Sequence, residues 1–496
     1  MLITALLMLI TVIALPSLQV SSSLATRLTA LVLASTSVLS YHGCSWLSLG
    51  SGISLYSGLL QATPTSYGID LLLGLIGAMA ILPWAPLSGV KGLQVSMGDL
   101  FLLLPTNSYY SLLVLFSVSG SSILVSSASL MTLYLGLELQ SFGVYVLAAL
   151  YRESESATNA GLVYFLLGGL SSAFILLGSS QLYAALGVMS LEEVYSVLST
   201  GEVGGLAVGV GLTVLASGLY FKLAAVPFHQ WAPTVYDGVP TIITTWLQTM
   251  PKLAVLGLLL ELTGGLTETS LGSSLMVVAM LSLAVGSVMG LAQVRVKPLL
   301  TYSTISHVGF MLLALGTYGV ESVTSFSFYL AQYSITSLAT LMIILALGYL
   351  IRAQSSLAGR AHSSDMETLS ELTGQASQHP MLCLGLAALL FSMAGVPPFM
   401  GFFAKLGVLE GSVTAHYTGV AILAILASAI SASYYLKVVR LMYFSTGTPA
   451  STGTLTLTAT HTFTVAVMVL AISLYVLLPT SFLDSTWSLA LSVYHA

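Results

Sequence analysis

Ser217-Gly-Leu-Tyr-Phe-Lys-Leu-Ala-Ala-Val-Pro-Phe-His-Gln-Trp-Ala-Pro233 is the stretch whose reading decides the fold. Lys222 stands inside an apolar helical run, and Pro227 follows five residues later. A proline lacks a backbone donor and clashes with the preceding turn, so a helix here must break or kink. The next apolar run carries a second lysine in Met250-Pro-Lys-Leu-Ala254. Lysines and prolines inside hydrocarbon-compatible sequence are costly, and such residues are candidates for function.

The surrounding chain explains why they stand out. It has 496 residues, 56% hydrophobic and 6% charged, with mean hydropathy +0.98. A soluble domain carries about 25% charged residues. Twelve basic and seventeen acidic side chains cannot hydrate the surface of a soluble protein this long. The chain is therefore an all-α integral membrane protein. Cys44 and Cys383 are far apart and form no CxxC or metal-type pattern, which argues against disulfide or cluster chemistry. The apolar N-terminus, without a basic segment before a cleavage site, reads as a retained first span.

At about 20 apolar residues per span, helices fall near 2–18, 24–40, 67–86, 108–126, 128–150, 158–187, 203–228, 239–262, 273–292, 298–317, 322–350, 381–410, 417–443 and 457–479. That makes fourteen. The segments 41–66 and 352–379 read as loops, and His229, Trp231 and Asp237 fall in another. Fourteen spans place both termini on one side. Nine basic residues (Arg27, Lys91, Arg152, Arg295, Lys297, Arg352, Arg360, Lys437 and Arg440) then share one face. The opposite loops hold acids such as Glu192, Glu261 and Glu321 and no lysine or arginine. The positive-inside rule assigns the basic face to the cytoplasm or matrix. One helix more or fewer would scramble this segregation.

The remaining three basic residues, Lys222, Lys252 and Lys405, lie within spans, as do Glu138 and His307. An ionised side chain at a helix centre costs about 2.5–3.5 kcal/mol, so these groups must face one another, broken-helix carbonyls or water. Low dielectric disfavours the charged form of a lysine and a nearby carboxylate favours it. A lysine between those influences switches when one partner moves, as a proton relay requires. Blander readings exist for each residue. Glu138 and Lys222 could form a static ion pair, His307 an interhelical hydrogen bond, and Lys405 could snorkel to an interface. Half of the six lysines being inside the membrane favours transport. A faint internal echo supports it: Ala225-Val-Pro-Phe228 in span seven and Gly395-Val-Pro-Pro-Phe399 in span twelve. Five spans separate them, so the halves would be inverted, and matching broken helices point to a transport site. No GxGxxG, GxxxxGK[ST] or haem-type His pair is present, leaving redox and nucleotide chemistry no visible home.

Tyr134-Leu-Gly-Leu-Glu-Leu-Gln140, Phe221-Lys222 through Pro233, Pro251-Lys252, Ser303 to Gly309 and Phe391 to Lys405 together resemble the antiporter-like subunits of respiratory complex I. The similarity covers roughly 100–420, with the outer spans matching in hydropathy and number. The Glu-Leu-Gln string, and a lysine in span twelve, separate the chain from the chain 4 type. The resemblance implies two inverted five-helix repeats, each with a broken helix, over 101–265 and 266–445. They would be flanked by N-terminal helices in 1–100 and a C-terminal helix in 446–496. It implies that Glu138 modulates Lys222, which passes a proton through Lys252 and His307 toward Lys405. It also implies a subunit of a proton-translocating NADH:ubiquinone reductase with no redox chemistry of its own, NADH, FMN, iron–sulfur clusters and ubiquinone being held by other subunits. Expected partners are other membrane-arm subunits, including the chain 4-type one and small membrane subunits, and lipids, but not nucleic acid. The expected location is the mitochondrial inner membrane, with the bacterial cytoplasmic membrane as alternative. The competing functions are a multisubunit cation/proton antiporter and a structural membrane scaffold.

Overall fold

A computed structural model describes residues 1–15, 22–46, 52–84, 109–152, 154–199, 205–266, 270–356, 365–445, 457–477 and 479–495. Among these residues, ten helices are long and apolar enough to cross a membrane, and four shorter apolar helices join them, matching the expected fourteen. The stretch expected to form the first repeat contains α4 (Tyr109–Val125), α5 (Leu130–Ala148), α6 (Glu155–Leu186), α8 (Leu206–Leu223) with α9 (Trp231–Gly238), and α10 (Thr241–Leu266). Preceding these are α1 (Leu2–Ala14), α2 (Ser22–Trp46) and α3 (Pro64–Ile81), with the short α7 (Leu191–Ser199) between spans six and seven. In the stretch expected to form the second repeat lie α11 (Ser270–Leu291), α12 (Val296–Thr317), α13 (Val320–Ser356), α15 (Pro380–Ala394) with α16 (Met400–Thr414), and α17 (Thr418–Phe444). The short α14 (Gln375–Gln378) precedes α15, and α18 (Ala459–Ser473) and α19 (Pro479–His495) follow.

Burial is graded as a membrane protein requires. Helices α10 and α12 are almost wholly enclosed, whereas α6 leaves Leu162, Leu166, Leu170 and Leu177 exposed along one side. Apolar side chains against lipid cost nothing, so the charged residues gather where the enclosed helices run.

Three local expectations need correction. The 41–66 segment is not a plain loop: α2 runs on to Trp46, and β1 (Ile53–Leu55) pairs antiparallel with β2 (Leu60–Ala62). The tip can turn because Gly58 takes φ 85°, which glycine adopts without steric cost. Residues 231–238 are helical, and α9 is the second half of span seven. Finally, α19 is an additional helix that packs Phe482 edge-on to Phe328 of α13, 5.3 Å between ring centroids.

Loops on the basic face are tied across the two repeats. Arg295 pairs with Asp237 and, at 3.5 Å, with Glu367. Lys297 pairs with Asp365 at 2.7 Å and donates to the Val239 carbonyl at 2.8 Å. Burial pushes the Asp365 carboxyl up, but the Lys297 ammonium and hydrogen bonds from Lys297 and Thr241 outweigh it and hold it below the usual carboxylate value. A carboxyl depressed by folding adds stability that is complete above its unfolded pKa and fades as pH falls through the lower folded value. Asp365→Asn is thus expected to lower the heat-denaturation midpoint of the assembled protein at about pH 7, with the gap to wild type closing toward about pH 3. A gap that stays constant over that range would show that the charge is not what stabilises these loops.

Candidate functional site

Span seven breaks where the sequence places Pro227. Helix α8 ends at Ala224, which takes the left-handed conformation at φ 57°. The carbonyls freed there are re-used. Phe221 O accepts from the Ala224 amide at 3.0 Å and from Trp231 Nε1 at 2.9 Å, and Tyr220 O accepts from the Ala225 amide at 2.9 Å. The Val226 amide donates to Ser282 Oγ of α11 at 3.0 Å. A break at membrane depth survives only when neighbouring protein satisfies its polar groups. Span twelve repeats the device at Gly395, φ 93°. Phe391 O accepts from the Gly395 and Val396 amides at 3.0 and 3.1 Å, and Ala394 O accepts from Lys405 Nζ at 3.0 Å.

The expected side chains lie in this enclosed interior. Lys222, Lys252, His307 and Lys405 are 8%, 2%, 3% and 7% exposed. Lys222 Nζ donates to Tyr145 Oη at 2.8 Å. Glu138 is within electrostatic range of Lys222, but the two make no ion pair within 4.0 Å. One carboxylate oxygen of Glu138 is buried without a hydrogen-bond partner among the described residues. The static pair is therefore absent, and Tyr145 of the same helix α5 holds the lysine instead.

From Lys222 an aromatic wall leads inward. Tyr145 meets Tyr164 edge-on at 4.8 Å, Tyr164 stacks on Trp231 at 4.7 Å, and Trp231 meets Tyr236 edge-on at 5.7 Å. Lys252 Nζ lies 5.5 Å from the centre of the Tyr236 ring and makes no hydrogen bond among the described residues. Pro251 beside it cannot bond the Leu247 carbonyl one turn back, and Tyr236 Oη donates there at 3.4 Å. An ammonium facing a ring is attracted by the ring quadrupole while its protons stay free for another acceptor.

His307 occupies the second repeat between two hydroxyls. Its Nδ1 is 2.7 Å from Tyr329 Oη and its Nε2 3.2 Å from Tyr435 Oη. Tyr435 Oη also bonds Ser303 Oγ. Tyr333 lies against the imidazole at 5.3 Å between ring centroids. Beyond it, Lys405 Nζ sits 5.4 Å from the centre of the Phe310 ring. Of the five expected residues, four are thus buried and Glu138 is half-buried, with Lys222 at the first break and Lys405 at the second. Sequence reasoning missed Tyr145, Tyr236, Tyr329 and Tyr435. An aromatic residue in an apolar span looks like ordinary packing, and only the adjacent tyrosines 434 and 435 offered a hint.

Such an architecture, with two broken helices and four buried basic side chains, defines a polytopic membrane protein of antiporter-like build. Residues 127–431 match the family described as NADH:quinone oxidoreductase/Mrp antiporter, TM, and the chain belongs to that family. It is 44% identical to NADH-ubiquinone oxidoreductase chain 2 of Rhizopus oryzae, over 90% of this chain and 86% of that one. It is 38% identical to NADH-quinone oxidoreductase subunit N of Nitrosomonas europaea, over 67% of each chain. A chain of respiratory complex I from Thermus thermophilus with bound Aureothin superposes with TM-score 0.75 at 27% identity, covering 98% of this chain and 99% of that one. These relatives favour the complex I reading over the antiporter and scaffold alternatives.

Proposed function

We propose that this chain is a proton-translocating membrane-arm subunit of NADH:ubiquinone oxidoreductase, driven by electron transfer in other subunits. What supports this is the burial of Lys222, Lys252, His307 and Lys405 in a chain with helix breaks at Ala224 and Gly395, which we read as a relay. Glu138, close enough to act on Lys222 yet not bonded to it, tunes how tightly Lys222 holds its proton. When the carboxylate approaches, the ammonium is favoured, and when it withdraws, the proton leaves toward Lys252. Lys252 gives it to His307, whose neutral imidazole accepts on one nitrogen and donates from the other. A proton entering at one nitrogen while another leaves from the second carries charge across the ring, which stays neutral but is left in its other tautomer and must reset before the next transfer. Lys405, whose Nζ reaches the Ala394 carbonyl at the second break, ends the line. The repeats at 101–265 and 266–445 would be the moving units.

The similarity to a ubiquinone-type chain of a fungus, at 44% identity against 38% for a bacterial subunit N, supports the mitochondrial inner membrane as the location. The partners would be the chain 4-type and small membrane-arm subunits. NADH, FMN, iron–sulfur clusters and ubiquinone would belong to other chains. The test is purification of the tagged chain in mild detergent and reconstitution into sealed vesicles. NADH oxidation should travel with it and acidify the vesicle interior. Sodium–proton exchange without any NADH-oxidising partner would instead identify an autonomous antiporter.

A further inference from the structure

Both ring nitrogens of His307 are already taken. Nδ1 faces Tyr329 Oη of α13 at 2.7 Å, and Nε2 faces Tyr435 Oη of α17 at 3.2 Å. An imidazole nitrogen either donates one hydrogen bond or accepts one, so each is satisfied by its tyrosine. Neither lysine of the line is bonded to the ring. Lys252 Nζ makes no hydrogen bond among the described residues, and Lys405 Nζ donates to the Ala394 carbonyl. Tyr333 covers the imidazole at 5.3 Å between ring centroids, and Tyr329 and Tyr435 are each 1% exposed. A proton can therefore reach or leave this ring only through a tyrosyl oxygen.

Ser303 lengthens the row. Thr301 and Thr304 beside it donate to carbonyls of their own helix at 2.8 and 2.9 Å, whereas the Ser303 hydroxyl bonds Tyr435 Oη. Ser303, Tyr435, His307 and Tyr329 thus form four hydrogen-bonded groups in series from three helices, α12, α13 and α17. Each can donate and accept at once, and such chains polarise cooperatively in a low dielectric. We propose that the hydroxyls of Tyr329 and Tyr435 carry the proton into and out of His307, and do not merely orient its ring. A proton adding to one tyrosyl oxygen releases that hydroxyl's own proton to the facing ring nitrogen. The N–H bond at the opposite nitrogen breaks, its proton joins the second tyrosyl oxygen, and that hydroxyl's proton leaves. One proton enters, one departs, and each group stays neutral with its hydrogen on the other side.

This rests on the relay reading, and the test keeps the two apart. Tyr329→Phe, Tyr435→Phe, the double variant and His307→Leu are made in the intact complex, and NADH-driven acidification of sealed vesicles is read per assembled complex. Carriers in series fail together: each single variant should lose about 10²-fold in translocation, the low end for a positioned proton-transfer group, and the double should be no worse. What pumping remains should slow more in deuterium oxide than that of wild type. A purely orienting role predicts otherwise, because the remaining hydroxyl still holds the ring. Singles that keep most of the pumping, with loss only in the double, overturn the proposal. So do singles that pump normally while His307→Leu stops, which leaves the relay standing. Normal pumping by His307→Leu takes down the relay and the proposal with it. Tyr434→Phe is the control, since it removes an equally buried hydroxyl that bonds neither ring nitrogen, and it should pump as wild type. Methionine, which fills irregular space without a hydroxyl, replaces any phenylalanine variant that does not assemble.

Discussion

Replacing Lys222 with methionine is expected to abolish NADH-driven proton translocation while leaving an assembled complex. Methionine keeps the unbranched apolar stem, so the packing of Lys222 under the Tyr145 ring, 5.3 Å from Nζ to the ring centre, loses only its charged tip. What disappears is the group able to hold a proton at this depth. A proton crossing without it would bear the cost of a charge at a helix centre, about 2.5–3.5 kcal/mol, which corresponds to a rate loss of roughly 10²-fold. Tyr145 would lose one hydrogen bond, worth about 1 kcal/mol, too little to prevent assembly. Dye-quench measurement of acidification in sealed vesicles, beside native-gel quantification of the complex, separates the two readouts. A scaffold role predicts the opposite, with reduced assembly and normal pumping per assembled complex. Arginine at this position tests the same point differently, because its guanidinium keeps the charge but cannot release the proton. Lys222→Arg should fail as Lys222→Met does.

The contrast between what the sequence disclosed and what it concealed has a physical basis. Lys222, Lys252, His307 and Lys405 were legible because charge is so costly in hydrocarbon that it stands out against a chain of 6% charged residues. The breaks were legible for the same kind of reason, since a proline leaves a carbonyl without its donor. What periodicity and charge do not report is which neutral group answers each charge. A static ion pair was the bland alternative for Glu138 and Lys222, yet the hydrogen-bond partner of Lys222 is a tyrosyl hydroxyl. Helix α9 was misread as a loop because Pro233, Asp237 and Gly238 are turn-forming residues, whereas here Trp231 and Tyr236 anchor a short helix by burial. Helix α19 was not placed for a related reason. Its serines, threonines and Asp484 dilute the apolar signal that marks a span, although Phe482 on one side seats it against α13.

Gly401→Ala is expected to be the most damaging single methyl that the second repeat can receive. Gly401 opens α16, and its amide donates to Ser392 Oγ of α15 at 3.2 Å across the break. A Cβ there would overlap the Ser392 carbonyl oxygen and lie 2.7 Å from its carbon, both backbone atoms that cannot swing aside. The halves of span twelve would have to separate, stretching that hydrogen bond and the 3.3 Å bond from Gln332 Nε2 to Ser392 Oγ. Overpacking with backbone movement costs about 1–3 kcal/mol, and stranding buried polar groups adds about 1–3 kcal/mol more. A loss of roughly 2–6 kcal/mol, at the severe end for point substitutions, should leave little assembled complex and a depressed thermal midpoint in what remains. Gly419→Ala is the matched control: on α17 nothing lies within 4 Å of an added Cβ, and surface changes of this kind stay within about 0.5 kcal/mol. Both substitutions replace glycine with alanine in a helix, so intrinsic propensity changes in the same favourable direction. The difference between them isolates the close approach of the two half-helices. Equal behaviour of the two variants would mean that α15 and α16 do not meet at Gly401, and the position of Lys405, one turn further along α16, would have to be redrawn.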